Sequence, residues 1–316
     1  MSASRRSLPL RSLLFLLPFC VLAFFASPAL GQDVPSTDLW LAPIFETADG
    51  PSLGTPENLT NREGYDNQPA FSDDGSTIYF TSQLQAAEGT AADGTAQTDL
   101  FAIDLDSREI RRLTETPESE YSPTPIPGER ALSSVRVEAD GAQRLWRFPL
   151  DGSAPSRILE AAEPVGYHAW SGDELVLFVL GEPHELRRAS AKRPDDPGTT
   201  VARSIGRALH KVPAENAFSF VEKVGGEGRE TWWIQKLDVE TGKIERLLRT
   251  LPGREDLAWS PRGMIWSADG AVVHRACPAC GEGFAPVTDL SEHGIGEITR
   301  LAISPDGRSI VFVATR

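Results

Sequence analysis

The stretch QPAFSDDGSTIYFTS, Gln68 to Ser82, decides the fold. The apolar pair Ala70 and Phe71 leads into a Ser-Asp-Asp-Gly turn, and a strand with alternating Ile78 and Phe80 leaves it. Asp-Gly supplies the positive φ that a tight hairpin needs, and the flanking β-branched and aromatic residues suit half-buried strands. The unit returns at the far end as LAISPDGRSIVFV, Leu301 to Val313. Thinner copies lie between: PTPIPG from Pro123, HAWSGD from His168, HKVPAE from His210 and LAWSPRG from Leu257.

The landmarks Ser72, Ile126, Ser171, Pro213, Ser260 and Ser304 stand 54, 45, 42, 47 and 44 residues apart. That is close to the roughly 40–50 residues of a four-stranded propeller blade. A second hairpin follows several landmarks, as in DLFAIDLDSREIRRLT from Asp99, LWRFPLDGS from Leu145 and TWWIQKLDVETGKIERLL from Thr231. The reading is an all-β, six-bladed β-propeller. The segment DLWLAPIF from Asp38, with ENLT from Glu57, forms an outer hairpin lacking an inner pair, and the inner pair after Ser304 lacks an outer one. These halves are predicted to share one blade, so that N-terminal outer strands pair with C-terminal inner strands and no long sheet edge is left open. Leu84 to Thr98, rich in Ala, Gly and Thr, reads as a flexible loop in the long interval.

The 24 Pro and 27 Gly among 316 residues favour many turns over long helices. Residues 1–31 read as a signal peptide: Arg5, Arg6 and Arg11 form the positive region, Leu13 to Ala26 the apolar one, and Ala29-Leu30-Gly31 the cleavage site. Residues 32–316 are then a single propeller domain, expected in the periplasm or outside the cell. Pro18 breaks an apolar run already short for a span, so the mature chain is expected to have no membrane span. The residues before Cys20 lack the small side chains of a lipoprotein cleavage box. Losing three Arg and no acid moves the formal charge from −14 to −17. A polyanion is repelled by such a chain, so no nucleic-acid partner is expected.

The pattern resembles the TolB-like, WD-type propeller repeat of bacterial envelope proteins, whose blades carry a Pro-x-aromatic-Ser-Pro-Asp-Gly core before an apolar strand. Pro69 to Phe80 and Leu301 to Val313 match it closely, Ala258 to Gly263 and Ala169 to Asp173 in part, while the copies at Ile126 and Pro213 are degenerate. The resemblance implies the fold and is weak for function. TolB itself carries an N-terminal α/β domain, for which there is no room before the first blade. Other relatives carry a serine-peptidase domain behind the propeller, and none is expected after Arg316.

Candidate sites are few. Cys277 and Cys280 in CPAC are expected to form a local disulfide in an exported chain; a zinc site with His274 and His293 is the alternative, at spacings unlike the usual fingers. No Gly-x-Ser-x-Gly elbow, phosphate loop or His-Glu-x-x-His helix occurs, so no catalytic residues, metal or cofactor are assigned. The Ser-Asp-Asp-Gly turn from Ser72 reads as turn chemistry rather than a Ca²⁺ site, and Trp170 and Trp259 as inter-blade packing. The residues expected just before each inner strand are Gln68, Ser122, Tyr167, His168, His210, Asp256 and Arg300, ringing one mouth of the central channel. Such a ring reads first as the solvated rim of a water-filled channel, and otherwise as a site for a peptide end or a small polar ligand. The leading functional reading is an exported, non-catalytic binding or scaffold protein with a protein or envelope partner. The alternative is a lyase or hydrolase on a saccharide or peptide, using His168, His210, Asp256 and Arg300.

Overall fold

The computed structural model describes residues 36–48, 50–83, 97–225 and 231–315. The signal segment 1–31 lies outside the described residues, as does the loop from Leu84 except for its last two residues. Among the described residues there are strands, turns and two 3₁₀ turns, and no α-helix.

The chain opens with β1 (Thr37–Thr47), β2 (Gly50–Leu53) and β3 (Glu57–Asn58). The first blade is β4 (Tyr65–Phe71), β5 (Thr77–Gln83), β6 (Thr98–Asp104) and β7 (Ile110–Arg112). The second is β8 (Ser119–Pro125), β9 (Ala131–Val137), β10 (Gln143–Pro149) and β11 (Ser156–Arg157). The third is β12 (Val165–Ser171), β13 (Glu174–Val179), β14 (Glu185–Ser190) and β15 (Thr199–Arg203). The fourth is β16 (Ile205–Lys211), β17 (Ala217–Val224), β18 (Thr231–Asp238) and β19 (Ile244–Arg249). The fifth is β20 (Leu257–Trp259), β21 (Ile265–Asp269), β22 (Val272–Cys277) and β23 (Glu282–Asp289). Then β24 (Ile298–Ile303) and β25 (Ser309–Thr315) pair with each other, and β25 takes β1 as its other neighbour. The sixth blade is thus β24-β25-β1 with β2 and β3 outermost, as the split hairpins predict. A single parallel bridge, Thr37 to Tyr65, joins it to the first blade.

All six landmarks fall at the turn after an inner strand, the degenerate ones included. The backbone shows why sequence drift is tolerated there. Ser72 N donates to Thr77 O, Ile126 N to Ala131 O, Val212 N to Ala217 O and Ser304 N to Ser309 O, each in 2.8–3.1 Å, whatever side chains the turn carries. In the best copy the Asp74 carboxylate accepts from Ser76 N and from the Ser72 and Ser76 hydroxyls, and these bonds hold its pKa down at about 2. The acidic turn is therefore self-capped rather than open to a cation.

Second strands are buried on both faces, so they read as continuous apolar runs, and period-two alternation sends successive side chains to opposite neighbours. Phe80 packs with Leu39 and Val313 of the sixth blade, while Tyr79 packs with Leu132 and Phe148 of the second. Val176 and Phe178 face the fourth blade, Leu175 and Leu177 the second. The six apolar clusters correspond in this way to the six blade-to-blade interfaces.

The interface between the first two blades has a small apolar cluster and adds a polar one. Glu120 is fully buried, 3.1 Å from Arg136 Nε, and accepts from the Thr114 and Thr116 hydroxyls at 3.1 and 2.5 Å. Arg136 also lies over the rings of Trp146 and Phe148. Burial pushes the Glu120 carboxyl up to about 7, against the lowering effect of Thr116 and Arg136. The folded chain therefore holds a proton that the unfolded chain has lost above the ordinary 4.5. Stability from this site is fully present below that value and falls as pH rises toward 7, by on the order of 2–3 kcal/mol. Glu120→Gln is expected to flatten that decline, measured by urea unfolding at a series of pH values between 4 and 8.

Candidate ligand site in the central channel

The seven ring residues expected from the sequence line one cavity of about 590 Å³ on the channel axis. Their placement differs from the expectation in two respects. Six of the seven lie within inner strands, and only Asp256 precedes one. Gln68, Ser122, Tyr167, Asp256 and Arg300 form the floor of the cavity, and His168 and His210 stand in its wall. The mouth is ringed by turn residues further along the strands, including Asp73, Pro127, Pro261 and Pro305, which are exposed.

The floor exists because the inner strands bulge. Registers slip between Asn67 and Ala70, Tyr121 and Thr124, Val165 and Tyr167, Ile205 and Leu209, and Ile298 and Leu301. A bulge re-aims side chains and frees backbone groups from the ladder. Gln68 and Ser122 take φ of 55° and 57° at their bulges, a conformation costly for residues with a Cβ. The Gln68 side chain offsets part of that cost: its Oε1 accepts from Ser122 N at 2.8 Å and Thr81 Oγ1 at 3.0 Å, tying the first two blades together.

Blade by blade, the floor reads Gln68, Ser122, Tyr167, Arg207, Asp256, Arg300: a neutral half and a charged half. Asp256 is clamped between two guanidinium groups, Arg207 Nη2 at 2.8 Å and Arg300 Nη1 at 2.5 Å. Burial tends to raise its pKa, but the charges of Arg300 and Arg207 outweigh it and keep the carboxyl below the usual range. Arg300 Nη2 also donates to Tyr167 Oη at 2.8 Å. Arg207 and Asp256 line a second cavity, of about 150 Å³, on the far side with Arg254, Glu255 and Glu297, so the charged plate is a partition across the channel.

Arg207 was not in the ring expected from the sequence. The fourth blade carries three residues in its bulge, Gly206 to Ala208, opposite one, where the first, second and sixth blades carry two. Counting back four residues from Val212, whose amide makes the Ser72-type turn bond, lands on Ala208, and the extra bulge residue moves the position to Arg207. The signal was the Gly-Arg pair at Gly206: a Cβ there would meet the Glu255 carboxylate, which accepts from Arg207 N at 2.8 Å.

Burial disfavours the charged form of both ring histidines. Burial pushes His168 down to about 3 and His210 to about 4. His168 Nε2 is 2.6 Å from Ser133 Oγ, a distance that in a cleft would suggest a nucleophile and its base. Ser133 is wholly buried on β9 and also receives Trp170 Nε1 at 2.8 Å, so the contact is a staple between the second and third blades. Trp259 makes the equivalent bond to Ser219 Oγ of the fourth blade, also at 2.8 Å. Cys277 and Cys280 are disulfide-bonded around a 3₁₀ turn in the fifth blade, outside the cavity lining, so these sulfurs are not free thiolates for zinc. No helix among the described residues is long and apolar enough to cross a membrane.

No protein-family model and no curated protein matches the sequence. Solved structures do. A protein assigned to TolB from Agrobacterium tumefaciens superposes with a TM-score of 0.65 at 13% identity, covering 90% of this chain and 99% of that one. TolB from Acinetobacter baumannii gives 0.51 at 13% identity over 88% of this chain, which spans 64% of that protein. Oligogalacturonate lyase from Vibrio parahaemolyticus gives 0.52 at 11% identity, covering 89% and 98%. The fold is a TolB-like β-propeller. At these identities the likeness speaks for the fold alone.

Ser122 combines a strained backbone with a buried hydroxyl that has no partner. Ser122→Gly is expected to raise stability by about 1 kcal/mol, because glycine accepts the positive φ at no steric cost and no hydrogen bond is lost. A fall in melting temperature on thermal unfolding would show that the hydroxyl is structural.

Proposed function

We propose that the mature chain is an exported, non-catalytic binding propeller of the bacterial envelope or exterior, with its ligand site in the central cavity. The observation that carries this reading is the pairing of the cavity's titratable groups, Asp256 with Arg207 and Arg300 and His168 with Ser133. A general acid or base works best with a pKa near ambient pH. His168 and His210 are held far below it, and Asp256 is locked as a carboxylate between two arginines. Glu120, pushed to about 7, is buried between blades and is not in the cavity lining. The cavity is thus rich in fixed donors and poor in groups that move protons. Its volume falls in the range of small-ligand sites, and its apolar walls with few convergent polar groups suit reversible binding.

Export rests on residues 1–31 and on the TolB-like fold, and a protein partner is the expectation that this fold suggests. The second reading, a lyase or hydrolase, draws on the same fold in oligogalacturonate lyase and on two histidines beside Arg300.

The test is capture by the mature chain from envelope and extracellular fractions of its host, repeated with Arg300→Gln. Loss of the charge and of the one donor that Arg300 leaves free, Nε, is expected to weaken binding by about 10- to 100-fold. Capture indifferent to Arg300 would move the site off the channel. Turnover of a saccharide or peptide, abolished by His210→Gln, would establish the enzyme instead.

A further inference from the structure

The class of ligand is written into the sign and layout of the floor, and this step rests on the cavity being the ligand site. The chain as a whole carries −14, yet the cavity is lined by Arg207, Lys211 and Arg300 against Asp73 and Asp256. With the charged form of both histidines disfavoured by burial, the cavity still holds a surplus of positive charge inside an acidic protein. Such a surplus attracts an anion and repels a cation at close range, where little water screens it.

The hydrogen-bond inventory is more specific. Arg207 spends Nε and Nη2 on Asp256, and its Nη1 donates to no partner among the described residues. Arg300 spends Nη1 on Asp256 and Nη2 on Tyr167 Oη, leaving Nε; Tyr167 accepts there and keeps its own proton to donate. The free groups of the charged half are all donors. A carboxylate, with two oxygens and about four lone-pair sites, is the common organic group that satisfies several converging donors at once.

We propose that the cavity binds the carboxylate of an organic anion, held by the free donors of Arg207, Arg300 and Tyr167. Asp256 sets the two guanidinium groups in place and, with Glu255 at 3.7 Å from Arg207 Nε, offsets part of their charge, which keeps the grip reversible. A peptide C-terminus and a sugar acid share this chemistry, each bringing a carboxylate beside N–H or O–H groups.

Calorimetric titration of the mature chain tests the proposal with an N-acetylated alanine tripeptide acid, its C-terminal amide, a diuronate and its methyl ester. Trp170 and Trp259, in the cavity wall, give a second readout by fluorescence. At least one acid is expected to bind at least about tenfold more tightly than its neutral counterpart, and more weakly as salt rises. Which acid it is distinguishes a peptide end from a saccharide. Arg300→Gln is expected to remove the preference for the acid. Asp256→Asn is expected to strengthen it several-fold, whereas a purely structural Asp256 would show weaker binding on substitution. Neutral forms binding as well as the acids, still dependent on Arg300, would overturn the carboxylate assignment and leave the cavity as the site. The carboxylate assignment also falls, with the cavity kept as the site, if neither acid binds while partner capture still depends on Arg300. If neither binding nor capture depends on the floor, both readings fall.

Discussion

Seven residues of β1, Thr37 to Pro43, pair antiparallel with Thr315 to Ser309 of β25, and the rest of the architecture depends on that seam. Blades in a ring are each stable because both faces are covered, and an unclosed ring leaves two faces and two edges bare. The seam also reaches across to the first blade. Thr37 N donates to Gly64 O, Thr37 Oγ1 to Asp66 O, and Asp38 accepts from Asn58, Thr60 and Arg62. Asp66 is in turn held by Arg62 in a bidentate pair at 2.7 and 3.0 Å. Leu39, Val311 and Val313 then pack on Phe80 and Phe101, so one strand couples sheet closure to core burial.

A closed ring brings six inner strands around one axis, and their bulges turn that symmetry into a cavity with a varied lining. Each blade contributes about one residue at the same depth, so chemistry can differ blade by blade on a nearly constant backbone. Here three successive blades supply Arg207, Asp256 and Arg300, and the opposite three supply Gln68, Ser122 and Tyr167. The charged plate keeps its carboxylate ionised because each of its oxygens meets a guanidinium group. Removing Asp256 from water is offset only by this full pairing, which also fixes where the arginines point.

Much of the fold was legible because the repeat is carried by turn backbone and by second strands buried on both faces. Even PTPIPG and HKVPAE, poor matches in side chains, sit at the expected turns, since the Ile126 and Val212 amides make the same bonds as Ser72. The split blade was legible from two incomplete hairpins, although β2, formed by GPSL, gave no strand-like pattern. The floor was legible to the extent that bulges keep constant length. Arg207 was missed because the turn of the fourth blade begins at Val212 rather than Pro213 and its bulge adds one residue, and depth along the channel was misplaced because spacing in sequence does not reveal where a strand turns outward. The polar interface around Glu120 and Arg136 was hidden as well. The run ALSSVRV of β9 carries polar residues that no repeat motif marks, and only three dimensions show that Ser133, Ser134 and Arg136 each find a partner.

The dependence of the ring on its seam is tested most directly by native-state hydrogen exchange of the mature chain. The account predicts that amides of Leu39 and Leu41 in β1 and of Val311 and Val313 in β25 exchange only through global unfolding, with the same protection free energy as β13 and β17. Local opening of the seam, with β1 amides exchanging orders of magnitude faster while β13 and β17 stay protected, would contradict it.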